Sequence, residues 1–427
     1  MNKISTQTRA ADETFWRQQE KRRQQLGQPC CSQSNMSWAL FDMPGDFAVV
    51  IHGESDCLNC FFHHQGGSGA AYYSSRLTDN QITLGDTQRP LGHLLRLIAA
   101  ERRPEAVIVL GTCPVEVIGD RFEVIVEAVA AETGIPMIPL HTHGLALLPL
   151  HRVQDWLYAT LASLALPDPP TERRGVSLLG LPPSHSRAEL QAVLSALGTE
   201  LHGTYPDRVP LDDWRRITHA EACYAADSSM YKKLSRVLAS AGQPIVDVPM
   251  PFGIDATDRF YQAIAAHRNI PDDQLDDALT PHRTQPAASI AAFRARAAGR
   301  KIALCIRMLK THRADLLAYG GLSAHGMLTE LGFEVEVLVQ GPPEATALAG
   351  YQRLLEKQGL GEVPLTPFPG PWKLGEALQA GGFDGAIMSD VARNVVEQAG
   401  IPWVSSGALR PLYAGMSDNL SLLERLL

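Results

Sequence analysis

Cysteine is the residue type in this chain best suited to chemistry, and its distribution is uneven. Five of the seven cysteines, Cys30, Cys31, Cys57, Cys60 and Cys113, fall within the first 113 residues, while Cys223 and Cys305 stand alone further on. A thiolate is a soft anionic ligand, suited to iron in a sulfide lattice and also to zinc. Cys30 or Cys31, Cys57 and Cys113 are the candidate ligands of an iron–sulfur cluster, because they lie on separate segments and each can approach from a different side. Cys57-Leu58-Asn59-Cys60 is a Cys-x-x-Cys pair with no second pair to match it, and His63 and His64 follow closely. Zinc is therefore a rival for this segment, although crowding four ligands into residues 57–64 leaves no turn room for a usual structural site. Plain buried or solvent-facing thiols are the third reading, since spacing alone does not separate the three.

The elements around these residues follow an α/β pattern. Phe47-Ala48-Val49-Val50-Ile51 is a short apolar run ending at His52-Gly53, as in a buried strand that stops at a turn. Ala106 to Leu110 is a second such run, with Gly111-Thr112-Cys113 just beyond it. Between them, Leu91, Leu94, Leu95 and Ile98 have helical spacing over Pro90 to Ala100. Arg121 to Thr133 reads as helix and Met137 to Leu140 as strand. In open parallel sheets ligands sit beyond the carboxyl ends of strands, and Cys57 and Cys113 both occupy such positions. A helix, a Gly-x-Pro turn and a strand recur at Val391 to Val404 and, more loosely, at Glu221 to Val248. The spacing predicts three Rossmann-like α/β lobes with mainly parallel sheets, joined by right-handed crossovers. Their expected bounds are 29–170, 171–285 and 286–427, after a polar N-terminal arm over 1–28. The Pro-rich segment Leu166 to Arg174 marks the first boundary. Pro271, Asp272, Asp273 and Pro281 interrupt the pattern at the second, before an Ala/Arg-rich helix over Ala287 to Ala298.

Composition excludes several function classes. At 427 residues, 45% hydrophobic and 20% charged, the chain has the make-up of a globular protein of about three domains. A net charge of −8, without a basic aromatic stripe, argues against nucleic acid as a partner. No apolar run reaches the ~18 residues of a membrane span, and the polar N-terminus has no secretory apolar core. The expected location is the cytoplasm, where thiols stay reduced and serve as ligands or core residues.

Three stretches together carry a resemblance. They are Cys31 with His52-Gly53-Glu54-Ser55-Asp56-Cys57, then Thr112-Cys113-Pro114-Val115-Glu116-Val117-Ile118-Gly119-Asp120, then Pro251-Phe252-Gly253-Ile254-Asp255-Ala256-Thr257-Asp258. They resemble the nitrogenase component 1 family, which comprises nitrogenase α and β subunits, cofactor-assembly scaffolds, light-independent protochlorophyllide and chlorophyllide reductases, and methylthio-alkane reductases. The resemblance implies an interfacial iron–sulfur cluster, [4Fe-4S] or P-type, shared with a homologous second subunit in an α2β2 heterotetramer. It implies Cys31, Cys57 and Cys113 as this chain's ligands, with Cys60 outside the set. It further implies electron delivery by a separate ATP-hydrolysing reductase homodimer. This chain has no Gly-x-x-x-x-Gly-Lys-Ser/Thr phosphate loop and does not look like that reductase.

Ala222-Cys223-Tyr224 resembles the α-subunit stretch whose Cys binds the active-site cofactor, which implies a second, larger metallocluster at Cys223; a buried core thiol is the alternative. The family's α subunit also supplies a C-terminal His, and this chain has none after His325. The expected function is thus a catalytic-component subunit of a nitrogenase-like reductase, with a cofactor-assembly scaffold or a zinc-stabilised binding protein as alternatives. Among other residues, His141 and His143 follow a strand end as candidate proton donors, and Glu116 and Asp120 are expected to cap the helix after Cys113. Cys305 lies in an apolar run and reads as core. Gln65 to Ala70 is glycine-rich without a nucleotide-binding spacing and reads as a loop.

Overall fold

The computed structural model describes residues 46–57, 71–142, 150–164, 172–181, 187–205, 217–226, 231–284, 286–308, 314–315, 321–341, 345–357, 359–388 and 393–427. Cys30, Cys31, Cys60, His63, His64, the Gln65 to Ala70 segment and His143 lie outside them.

Continuous apolar runs become strands covered on both faces. β1 (Phe47–His52) and β3 (Ala106–Gly111) are buried at every position. Their side chains alternate between two cores. Phe47, Val49, Ile51, Ala106, Ile108 and Leu110 join the core that includes Leu157 and Leu161 of helix Leu150–Leu164. Ala48, Val50, Val107 and Val109 meet Leu91, Leu95 and Ile98 of helix Gln88–Glu101 and Val126 and Val129 of helix Glu123–Thr133. Each fully buried Leu or Val contributes on the order of 2 kcal/mol by leaving water.

With β2 (Ala71–Ser74) and β4 (Met137–His141) these strands form a parallel sheet in the order β2-β1-β3-β4. A second parallel sheet has the order β6-β5-β7-β8, from β5 (Val176–Leu179), β6 (Leu201–Tyr205), β7 (Ala222–Ala225) and β8 (Ile245–Asp247). The third is built from β9 (Lys301–Met308), β11 (Glu334–Gln340), β12 (Leu365–Phe368), β13 (Gly385–Met388) and β14 (Trp403–Ser405), in the order β12-β11-β9-β13-β14. The two-residue β10 (Ala314–Asp315) pairs antiparallel with β9. The expected α/β architecture of mainly parallel sheets is therefore present, and each sheet reverses its winding once, between β1 and β3, β5 and β7, and β9 and β13.

The described residues fall into two compact units, one within 29–183 and 199–247, the other within 184–198 and 248–427. In the first unit the first two sheets share a core, because helices Leu150–Leu164 and Lys232–Ser240 pack together. Asp155, 1% exposed, fixes that contact: its carboxylate accepts the backbone N–H groups of Lys233 and Leu234 at 3.0 Å, capping the second helix from outside its own chain segment. Asp155→Ala orphans both donors and is expected to cost about 1–2 kcal/mol, read as a lower urea midpoint at an unchanged slope.

In the second unit Pro281 does not break the chain. A helix runs Asp272–Thr284 with Pro281 inside it. Pro271 stands before its first turn, Asp272 and Asp273 suit the positive end of the helix dipole, and Pro281 lies close enough to the end to disturb little of the ladder. Glu189, 4% exposed, binds two other parts of this unit. It accepts the Tyr261 hydroxyl at 3.1 Å and the backbone N–H groups of Tyr413 and Ala414 at 3.4 and 2.6 Å. Burial outweighs these bonds and raises its carboxyl above the ordinary 4.5. Folding therefore takes up a proton here, so this contribution is fully present below the ordinary value and is lost as pH rises through the raised one. The urea midpoint of the wild type should fall from mildly acidic to neutral pH more steeply than that of Glu189→Gln.

Candidate functional site

The cysteines described in the first unit stand where a parallel sheet presents ligands. β1 and β3 are neighbours, in register from Phe47↔Ala106 to His52↔Gly111, and the sheet's winding reverses between them. Such a switch point leaves a crevice beyond the carboxyl ends of the two strands. Cys57 lies in the helical turn that begins at Asp56, after β1, and Cys113 opens the short helix Cys113–Val117 after β3, with Pro114 at its start. Both thiols are half-buried.

The two turns are pressed together one residue before each departs. The His52 carbonyl accepts both the Thr112 N–H, at 3.1 Å, and the Thr112 hydroxyl, at 2.9 Å. Gly53 permits this approach, since a Cβ there would lie 1.9 Å from Thr112 Oγ1. Gly111 is equally confined, by Glu116 and Phe122 at 2.6 and 2.7 Å from an added Cβ.

A carboxylate–imidazole pair lies on each side of Phe122. His52, fully buried, donates from Nε2 to Asp120 Oδ2 at 3.1 Å, and its Nδ1 lies 3.1 Å from Ser75 Oγ. Ser75 Oγ also accepts the Gly53 N–H at 3.0 Å. Burial alone would push the Asp120 carboxyl up, but hydrogen bonds from His52, Thr87 and Gln88 hold it below its ordinary 3.8. The pair's contribution is therefore present above the ordinary carboxylate value and lost only as pH falls through the depressed one. Across Phe122, whose ring lies 5.5 Å from His52 and 4.9 Å from His141, the His141 Nδ1 sits 2.7 Å from Glu116 Oε1. His141 ends β4, and its side chain is 41% exposed.

Glu116 lies in the first turn of the Cys113 helix, where the dipole favours it, but Asp120 lies beyond the helix's other end and neither carboxylate makes a capping hydrogen bond. No side chain caps that helix at Thr112, and both carboxylates turn to histidines distant in sequence. The His52 brace was invisible in the sequence beyond one signal, a polar residue closing an apolar strand before a glycine.

Cys223 sits mid-strand in β7, beside Ser177 of β5 and Ile245 of β8, and is wholly buried among apolar side chains; burial pushes its thiol up. Cys305 sits mid-strand in β9, 2% exposed, its thiol pushed up to about 12 by burial, as the core reading expects. Among the described residues no group of three or more His, Cys, Asp or Glu side chains is placed to hold a metal ion, and no helix is long and apolar enough to cross a membrane.

The chain matches the family model of nitrogenase component 1 type oxidoreductases over residues 34–426. Among curated proteins it is similar to the nitrogenase iron-molybdenum cofactor biosynthesis protein NifE of Klebsiella pneumoniae, 26% identical over 105 residues, covering 23% of this chain and 23% of that protein. The NifE protein of Mesorhizobium japonicum is 27% identical over 107 residues, covering 24% and 22%. The matched stretch therefore spans less than a quarter of these relatives. Two solved structures of nitrogenase Cp1, at pH 6.5 and pH 5, align over 93% of this chain and 87% of theirs with TM-scores of 0.71, at 14% and 15% identity. That likeness shows the fold.

Proposed function

Because the chain belongs to the nitrogenase component 1 type oxidoreductase family, we propose that it is one subunit of the catalytic component of a nitrogenase-like two-component reductase. Cys31, Cys57 and Cys113 hold half of an iron–sulfur cluster, [4Fe-4S] or P-type, and a homologous second subunit in an α2β2 assembly supplies the other ligands. The observation that carries this reading is the position of Cys57 and Cys113 after two neighbouring strands at the switch point of one sheet. The donor set suits the group: two half-buried thiols on separate segments, whose backbones are held by buried hydrogen bonds. When bound, the cluster supplies one-electron storage. The chain's own part is to orient the thiols, exclude water and accept docking of an ATP-dependent reductase homodimer in the cytoplasm. A second metallocluster at Cys223 would have to displace the apolar side chains packed around that thiol, so we assign Cys223 to the core.

The similarity to cofactor biosynthesis proteins favours a second reading, a scaffold that holds a cofactor precursor during assembly. Incubating the iron-loaded two-subunit complex with an apo acceptor protein separates the two. A reductase subunit keeps its iron; transfer of most of it to the acceptor would overturn the first reading in favour of the second.

A further inference from the structure

We propose that His52 is the positioning residue that sets the spacing of the Cys57 and Cys113 thiols, an inference that rests on the cluster reading of those two residues. His52 is tied to the Cys113 helix at both of its ends. Its backbone carbonyl accepts the N–H and the hydroxyl of Thr112, the residue before Cys113. Its ring holds Asp120, just past the end of the same helix, through Nε2. Asp120 is in turn held by Gln88 Nε2 at 3.1 Å, which anchors this end to helix Gln88–Glu101. On its other side the ring meets Ser75, which follows β2 and also binds the Gly53 N–H at the start of the Cys57 turn. One fully buried residue thus fixes where the Cys113 helix begins, where it ends and where the Cys57 turn leaves the sheet.

The arrangement has more constraint than stability alone requires. A buried histidine needs its two ring nitrogens satisfied, and any two polar neighbours would do. Here one neighbour, Asp120, lies just past the end of the Cys113 helix, the other, Ser75, holds the Gly53 N–H where the Cys57 segment leaves β1, and Gly53 leaves no slack against Thr112. Displacing the ring therefore moves both thiols.

The test reads thiol spacing without iron. The full-length apo chain is treated with a short bifunctional thiol reagent, and the Cys57–Cys113 cross-link is quantified by peptide mass spectrometry in wild type, His52→Gln, His52→Leu and Asp120→Ala. Gln retains an N–H that can reach Asp120; Leu does not. The expected result is a strong cross-link in wild type, substantial retention in His52→Gln, and a several-fold loss in His52→Leu and Asp120→Ala at temperatures where circular dichroism shows each variant folded. Should either variant fail to fold, Asp120→Asn, which keeps the side-chain shape and loses the charge, is expected to give an intermediate yield. Equal yields in all folded variants, or no cross-link in wild type, would overturn the proposal. Wild-type complex without iron, alongside the expected cross-linking pattern, would instead remove the cluster reading and leave the positioning role standing.

Discussion

Replacing Cys113 or Cys57 with alanine is expected to strip most of the iron from the purified two-subunit complex, while Cys223→Ala and Cys305→Ala retain it. The contrast follows from where the four thiols lie. Cys57 and Cys113 are half-buried at strand ends, in turns whose positions are fixed by hydrogen bonds from β1 and β2. Cys223 and Cys305 are mid-strand and enclosed, and burial raises both thiols, which disfavours the thiolate a metal requires. Trimming either buried cysteine to alanine should cost about 1 kcal/mol of packing and nothing in metal content. Iron and thermal midpoint, measured together on each variant, check this. Loss of iron from a folded Cys223→Ala protein would restore Cys223 as a ligand.

Gly53→Ala should be nearly as damaging as loss of a thiol, although it adds a single methyl group. The added carbon would overlap Thr112 Oγ1 at 1.9 Å and approach Thr112 Cβ and Cγ2 at 2.9 Å. The side chain it meets is buried and engaged with the His52 carbonyl, so neither turn can give way cheaply. An overpacking cost of about 2–3 kcal/mol is expected, with iron lost because the two thiol-bearing turns separate. Thr112→Ala removes the closest atoms of the clash at the loss of one hydrogen bond. The double variant Gly53→Ala, Thr112→Ala should therefore be more stable than the sum of the single effects, and a denaturant-based double-mutant cycle measures the difference. Strict additivity would show that the two turns are not in contact.

The central strands were legible because burial on both faces leaves an unbroken apolar run. Phe47 to Ile51 and Ala106 to Leu110 are read directly as β1 and β3, and the helix between them differs from expectation only at its ends. β2 and most of β12 are half-exposed strands at the sheet margins, four residues each, and carry no such run. Pro281 misled because a proline tells which hydrogen bond is missing, not how close the helix end lies. At the site, strand-end position located Cys57 and Cys113, since it depends on local sequence. The partners of Glu116 and Asp120 did not follow from local sequence. Helix dipoles suggest a nearby cap, whereas His52 is 68 positions away from Asp120 and is brought to it by the pairing of β1 with β3. Cys31, read from the resemblance, lies outside the described residues.

The most direct test of the central claim is metal content on the anaerobically purified two-subunit complex. Iron and acid-labile sulfide should be present in near-equal amounts, with a low-temperature EPR signal that changes on dithionite reduction. Zinc in place of iron, with no dithionite-sensitive signal, would contradict the assignment of Cys57 and Cys113 to an iron–sulfur cluster.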